Sequence, residues 1–75
     1  MDILFEQHGS SENNGTIIEL LVKKGELVKK GQLLLIIELD KTNLEIESPI
    51  DGNIKEIFFS VNDNVNVGQT LAIIE

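Results

Sequence analysis

Residues 15–38 read GTIIELLVKKGELVKKGQLLLIIE, and residues 52–75 read GNIKEIFFSVNDNVNVGQTLAIIE. At a constant offset of 37 the two segments share Gly15/Gly52, Ile17/Ile54, Glu19/Glu56, Val28/Val65, Gly31/Gly68, Gln32/Gln69, Leu34/Leu71, Ile36/Ile73, Ile37/Ile74 and Glu38/Glu75, and Glu26 is answered by Asp63. Such a repeat marks one supersecondary unit used twice, each copy unable to bury its apolar face alone. Two copies are too few for a solenoid. They predict a closed pair of sheets related by a pseudo-twofold axis.

Each copy reads as a strand (Thr16 to Val22; Asn53 to Phe59), a turn, a short extended piece around Val28 or Val65, a glycine and a second strand (Leu33 to Leu39; Thr70 to Ile74). No stretch keeps a helical period over ten or more residues, and the β-branched content with Gly25 and Gly31 favours strand. Glu19 and Glu56 at matched positions point Leu20, Val22, Ile57 and Phe59 inward. The first residues of each strand must then be bent or bulged. Gly25, Gly31, Gly52 and Gly68 separate apolar runs and are expected to supply left-handed backbone, with Asn62 and Asn64 filling the matching turn of the second copy.

Between the copies lies Glu38-Leu39-Asp40-Lys41-Thr42-Asn43-Leu44-Glu45-Ile46-Glu47-Ser48-Pro49-Ile50-Asp51-Gly52. Leu44 and Ile46 alternate with Glu45 and Glu47, so two strands flank a polar interruption at Asp40 to Asn43 as in a hairpin, and Pro49 ends the second strand. Lys41 then stands on a turn, an exposed amine on a rigid base that another enzyme can reach. The other lysines flank turns or, as Lys55, face out of a strand, where a solubilising role suffices. Glu38, Asp40, Glu45 and Glu47 lack the loop spacing of a calcium or magnesium site and read as a solvated face.

The chain of 75 residues is expected to form a single domain, residues 1–75, with a modest core. No cysteine is present, so neither disulfides nor thiolate metal sites enter. Thirteen acids against six lysines give −7, divided as −2 over residues 1–38 (six acids, four lysines) and −5 over residues 39–75 (seven acids, two lysines). An acidic surface without Arg, Trp or Tyr argues against nucleic acid and against anionic membranes as partners. With no long apolar segment and no secretory start, the protein is expected to be soluble and not secreted. Ile3, Leu4 and Phe5 form a short strand, and Gln7 to Asn14 form a polar surface loop in which His8, the sole histidine, has no cysteine to share a ligand role.

The residues around Lys41 resemble the lipoyl domains of 2-oxo acid dehydrogenase complexes, a biotin/lipoyl attachment family. The motif stands here as Glu38, Leu39, Asp40, Lys41, Thr42, followed by Ser48, Pro49 and Gly52. Gly25, Val28, Leu34, Ile37 and Ile54 extend the match over residues 15–75 without a gap. Two departures are Leu39, where Thr or Ser is usual, and the lack of the family's N-terminal proline between Ile3 and Gly9.

The resemblance implies an all-β flattened barrel, or sandwich of two roughly four-stranded antiparallel sheets, with Lys41 at one end and both termini near the other. It implies a non-catalytic carrier, part of an acyltransferase component, with lipoic acid joined to Lys41 as an amide and Glu38, Asp40 and Thr42 as the motif around the attachment site. The partners implied are a lipoylating enzyme, a thiamin-dependent 2-oxo acid decarboxylase, an acyltransferase core and dihydrolipoamide dehydrogenase. The implied compartment is bacterial cytoplasm or mitochondrial matrix. In this family the loop joining the first two strands sits near the modified lysine, which places Gln7 to Asn14 beside Lys41. Biotin carriage on a similar fold is the alternative, but there the lysine normally lies between two methionines, and this chain has Asp40 and Thr42 with its single methionine at position 1. An unmodified structural module is the other alternative, against which Glu38, Asp40 and Lys41 stand.

Overall fold

The computed structural model describes residues 1–6 and 13–75. Eight strands are found there: β1 (Asp2–Leu4), β2 (Asn14–Leu20), β3 (Leu27–Val28), β4 (Leu33–Glu38), β5 (Asn43–Glu47), β6 (Gly52–Ile57), β7 (Asn64–Asn66) and β8 (Thr70–Ile74). They form two four-stranded antiparallel sheets, ordered β1-β8-β6-β3 and β5-β4-β2-β7. The expected all-β pair of sheets is what the chain forms.

The repeat accounts for three strands of each sheet, with β2, β3 and β4 mapping onto β6, β7 and β8. The fourth pair, β5 and β1, is related in space and not by the repeat. Ile46 faces Leu35 and Glu47 faces Leu33 on β4, as Ile3 faces Ala72 and Leu4 faces Thr70 on β8. Beyond these strands Gly31 N–H donates to the Ser48 carbonyl and Ser48 N–H to the Gln32 carbonyl, at 2.7 and 2.9 Å. Gly68, Phe5 and Gln69 repeat the pattern at 2.8 and 3.0 Å. One operation therefore relates the two sheets. The connections differ: nine residues join β1 to β2 where four join β5 to β6, and β4 runs into β5 through the Lys41 turn, whereas the counterpart of that turn is the gap between Glu75 and Met1, closed by hydrogen bonds between Met1 and Ile74. The pseudo-twofold thus sets the turn and the chain ends at opposite poles.

Both first strands are bulged where the conflict of phase required it. Between Ile17 and Glu19 the partner advances only from Ile37 to Ile36, and between Ile54 and Glu56 only from Ile74 to Ile73. The extra residue flips the pleat, so Ile17 and Val22 are both buried although they differ by an odd number of positions. Leu20, Ile57 and Phe59 face the core but are only half-buried. Strands 2 and 6 start and stop earlier than expected, Asn14–Leu20 and Gly52–Ile57, and Asn14 belongs to β2 and not to the preceding loop.

Ile17, Leu34, Ile37, Ile54, Leu71 and Ile74 interdigitate between the layers, all within 1 % of complete burial. Each buried aliphatic side chain contributes roughly 1.5–3 kcal/mol.

Gly25, Gly31 and Gly68 have positive φ, as does Asn62, the counterpart of Gly25. Gly52 corrects the expectation: its φ is ordinary, and a Cβ there would stand 2.5 Å from the Glu75 carbonyl oxygen. Close approach of backbone, not turn freedom, requires the glycine. Asn64 likewise lies in β7 and not in the turn.

The repeated polar residues close turns. Gln32 and Gln69 accept from Lys29 and Asn66 N–H at 3.1 and 2.7 Å, and Glu26 and Asp63 accept from Lys23 and Ser60 N–H at 3.2 and 2.8 Å. Gln69→Ala should cost about 0.5–1.5 kcal/mol, the net worth of one such bond, read as a lower midpoint in thermal unfolding with an unchanged strand signature.

Candidate functional site

Lys41 lies where β4 turns into β5. Glu38 faces Asn43 as the last cross-strand pair, and Leu39 N–H donates to the Thr42 carbonyl at 2.8 Å, which leaves Asp40 and Lys41 at the two central positions. Among the described residues Asn62 is the single non-glycine with positive φ, so the turn carries Lys41 on backbone of ordinary negative φ. Asp40, Lys41, Thr42 and Asn43 are exposed, while Leu39 and Leu44 at the base are half-buried and pack on the core. The tip is wet and its roots are apolar. That division gives a side chain free reach from a fixed origin.

Leu39 has a specific seat. A Cβ on Gly15 would lie 2.9 Å from Leu39 Cδ2, 2.9 Å from the Glu38 carbonyl oxygen and 2.5 Å from Ile37 Cγ2. The hairpin base therefore leans into a notch that only glycine leaves open. Gly52 is its repeat mate, pressed instead by Ile74 and Glu75. Sequence reasoning counted Gly15 as a repeat position and missed this duty; its identity with Gly52 was the available signal.

Beside the hairpin is an open depression of ≈ 430 Å³, lined by Asn13, Asn14, Gly15 and Thr16 on one side and by Glu38, Leu39 and Asp40 on the other, with Asn64 of β7 completing it. The described end of the polar loop thus comes to the lysine turn. Residues 7–12, His8 included, lie outside the described residues. Asn64 joins the site through the pairing of β7 with β2.

Of the residues singled out by the motif, Glu38, Asp40, Lys41 and Thr42 are brought together on one hairpin. Ser48 is elsewhere in role. It is the one buried polar side chain among the described residues, its hydroxyl donates to the Ile50 carbonyl at 2.6 Å, and its backbone links to Gly31 and Gln32. The Ser48-Pro49 pair therefore turns the chain out of β5. Lys24 and Lys55 are held by Glu56 and Glu75 at 3.4 Å, exposed pairs worth about 0–1 kcal/mol. Glu45 and Glu47 stand exposed on the strand that leaves the Lys41 turn. No helix of the described residues is long and apolar enough to cross a membrane.

Residues 2–74 match the family described as biotin-requiring enzymes, the biotin/lipoyl family. The chain is 36% identical over 73 residues to the dihydrolipoyllysine-residue acetyltransferase component of the pyruvate dehydrogenase complex of Acholeplasma laidlawii, over 97% of this chain and 13% of that protein. It is 42% identical over 60 residues to the alpha subunit of mitochondrial methylcrotonoyl-CoA carboxylase of Dictyostelium discoideum, over 80% of this chain and 9% of that protein. The chain thus spans a small fraction of the length of these relatives. The solution structure of the lipoyl domain of the 2-oxoglutarate dehydrogenase complex of Azotobacter vinelandii superposes with a TM-score of 0.77 at 32% identity, covering 97% of this chain and 95% of that one. A family match over nearly every residue, joined to a two-sheet architecture shared with a whole solved lipoyl domain, means that the chain belongs to the biotin/lipoyl attachment family as a lipoyl-type domain.

Proposed function

We propose that residues 1–75 form one carrier domain in which Lys41 is the attachment site for lipoic acid and that it serves a 2-oxo acid dehydrogenase complex. The observation that carries the reading is the turn itself: an exposed amine at a central position of a closed hairpin, at the pole opposite the chain ends. The site fits the group. Lys41 is exposed, so an amide at Nζ needs no buried space. Lipoic acid, when attached, supplies a dithiolane that can take an acyl group together with two electrons.

The chain's own residues supply position. Leu39 and Leu44 root the hairpin in the core, and the Leu39–Thr42 bond fixes the direction in which Lys41 leaves it. A long arm on a fixed origin keeps its end at a high effective concentration near successive enzyme sites, which replaces diffusion of a free intermediate. Amidation removes one cation, taking the formal charge from −7 to −8 and leaving Glu38 and Asp40 beside an uncharged link. Asp40 and Thr42 flank the amine as features a lipoylating enzyme can read, with Glu38 at the hairpin base. The thiamin-dependent decarboxylase, acyltransferase core and dihydrolipoamide dehydrogenase would meet the same pole, and the depression bearing Asn13, Asn14 and Asn64 offers the first of them a surface to recognise.

Biotin carriage is the second reading, favoured by the likeness to the carboxylase subunit. Expression with a lipoylating and, separately, a biotinylating enzyme, followed by intact mass and tryptic mapping, decides between them. Lipoate on Lys41 alone is expected. Biotin on Lys41, or no adduct with either enzyme, would remove this reading.

Exchanging Asp40 and Lys41 should also defeat modification, because a one-residue shift on a two-residue turn sends the side chain in another direction. Intact mass should show the swapped chain unmodified under conditions that modify the parent fully, with a retained strand signature confirming the fold.

A further inference from the structure

We propose that the groove between edge strands β1 and β5 binds an extended peptide segment in which basic and apolar residues alternate, added as a strand along the free edge of β5. The proposal is independent of any cofactor on Lys41.

Among the described residues β1 and β5 each end a sheet, so each has one strand neighbour there and one open edge. Alternate residues of such an edge turn N–H and C=O outward, a template for another strand. The two strands belong to different layers, with all their Cα atoms more than 8 Å apart, and between them lies a groove of ≈ 530 Å³. Its floor is Ile3 and Ile46, buried residues that β8 and β4 hold from behind. Its rims carry Asp2 and Glu6 on one side and Glu45 and Glu47 on the other. Among the described residues no lysine lines it, and the Met1 amine at its end already donates to the Ile74 carbonyl at 2.6 Å.

This alternation defines the occupant. A strand laid beside β5 directs successive side chains to opposite faces. One set would fall toward Ile3 and Ile46 and must be apolar. The other would lie beside Glu45 and Glu47, where a lysine or arginine is attracted and an acid repelled. β5 spans five residues, roughly 17 Å, which sets the length of contact. A second copy of this chain is disfavoured, since pairing β5 edges would set its own carboxylates against each other. The opposite edges differ. β3 and β7 are two and three residues long, and β3 presents Leu27 with Lys29 and Lys30 following, so they lack both the length and the charge pattern. Because β5 runs directly from the Lys41 turn, a segment seated on it would hold its parent protein next to that amine.

The test uses the unmodified chain, isotope-labelled, and a synthetic peptide alternating lysine and valine. The expected result is saturable binding, with amide shifts confined to β1 and β5, slowed hydrogen exchange on alternate β5 amides, and affinity that falls as salt is raised. Glu45→Lys with Glu47→Lys, both exposed positions, should weaken binding by about tenfold or more through like-charge repulsion, with the thermal midpoint confirming the fold. The same peptide N-methylated along the edge that faces β5 tests strand addition on the unaltered domain and should lose binding to the same degree. Equal binding of the N-methylated peptide, equal binding of a glutamate–valine peptide, shifts centred on β3 and β7, or no saturable binding would each overturn the proposal.

Discussion

Lys41→Arg gives a folded domain that takes up no lipoate. Lys41 is exposed, so strand content and thermal midpoint should agree with the parent within about 0.5 kcal/mol, the usual range for a surface change. Loss of modification should be complete. The amide requires a nucleophilic amine, and a guanidinium in a protein stays protonated. The five remaining lysines provide an internal control: Lys24 and Lys55 are ion-paired, and Lys23, Lys29 and Lys30 stand beside turns that differ from the hairpin. Intact mass after expression with the lipoylating enzyme should show one adduct on the parent and none on the variant. An adduct on the variant would move the attachment site elsewhere in the chain.

Much of the fold is legible because it is written twice. Ten identical positions at one offset fix which residues share a layer, and the phase conflict between Ile17 and Leu20 announces a bulge before any coordinates are known. The hairpin is equally local: alternation in β5 and a polar interruption place Lys41 on a turn. What is illegible is what depends on distant partners. β1 is the counterpart of β5 only in space, at an offset of 43 between Ile3 and Ile46, because the chain enters one sheet at the strand by which it leaves the other. Asp2-Ile3-Leu4 and Glu45-Ile46-Glu47 share one identity, too little to reveal the relation. The depression next to Lys41 needs Asn64 from β7, delivered by a pairing fifty residues from Asn14 in sequence. The local sequence around Gly52 reads as a turn, whereas the carbonyl that forbids a side chain there belongs to Glu75, distant in sequence.

The symmetry of the fold and the asymmetry of its connections can be separated experimentally at the paired glycines. Gly15→Ala and Gly52→Ala each place a methyl where it meets heavy atoms at 2.5 Å, closer than carbon can approach without movement. Gly15→Ala should be costly. Its methyl meets Ile37, a fully buried side chain with no room to withdraw, and the Glu38 carbonyl, whose residue is paired with Thr16 on β2. Overpacking of this kind costs about 1–3 kcal/mol, and in a domain of this size each kcal/mol lowers Tm by roughly 4–8 °C. Gly52→Ala presses on Ile74, as fully buried as Ile37, and on the Glu75 carbonyl, which accepts from Asn53 N–H at 3.1 Å, so the two variants should lose stability to a similar degree. The functional consequences divide. Relief of the clash at Gly15 must pass through Leu39 and Glu38 to the Lys41 turn, so modification of Lys41 should slow by about tenfold or more, as expected when a reacting group is displaced by around 1 Å. Relief at Gly52 moves the opposite pole and should leave the modification rate within about twofold of the parent. Stability from thermal unfolding and initial modification rates by mass, taken on both variants well below their midpoints, test the two claims separately. Equal slowing in both variants would mean that the hairpin is not seated by Gly15 and that loss of stability alone governs the rate.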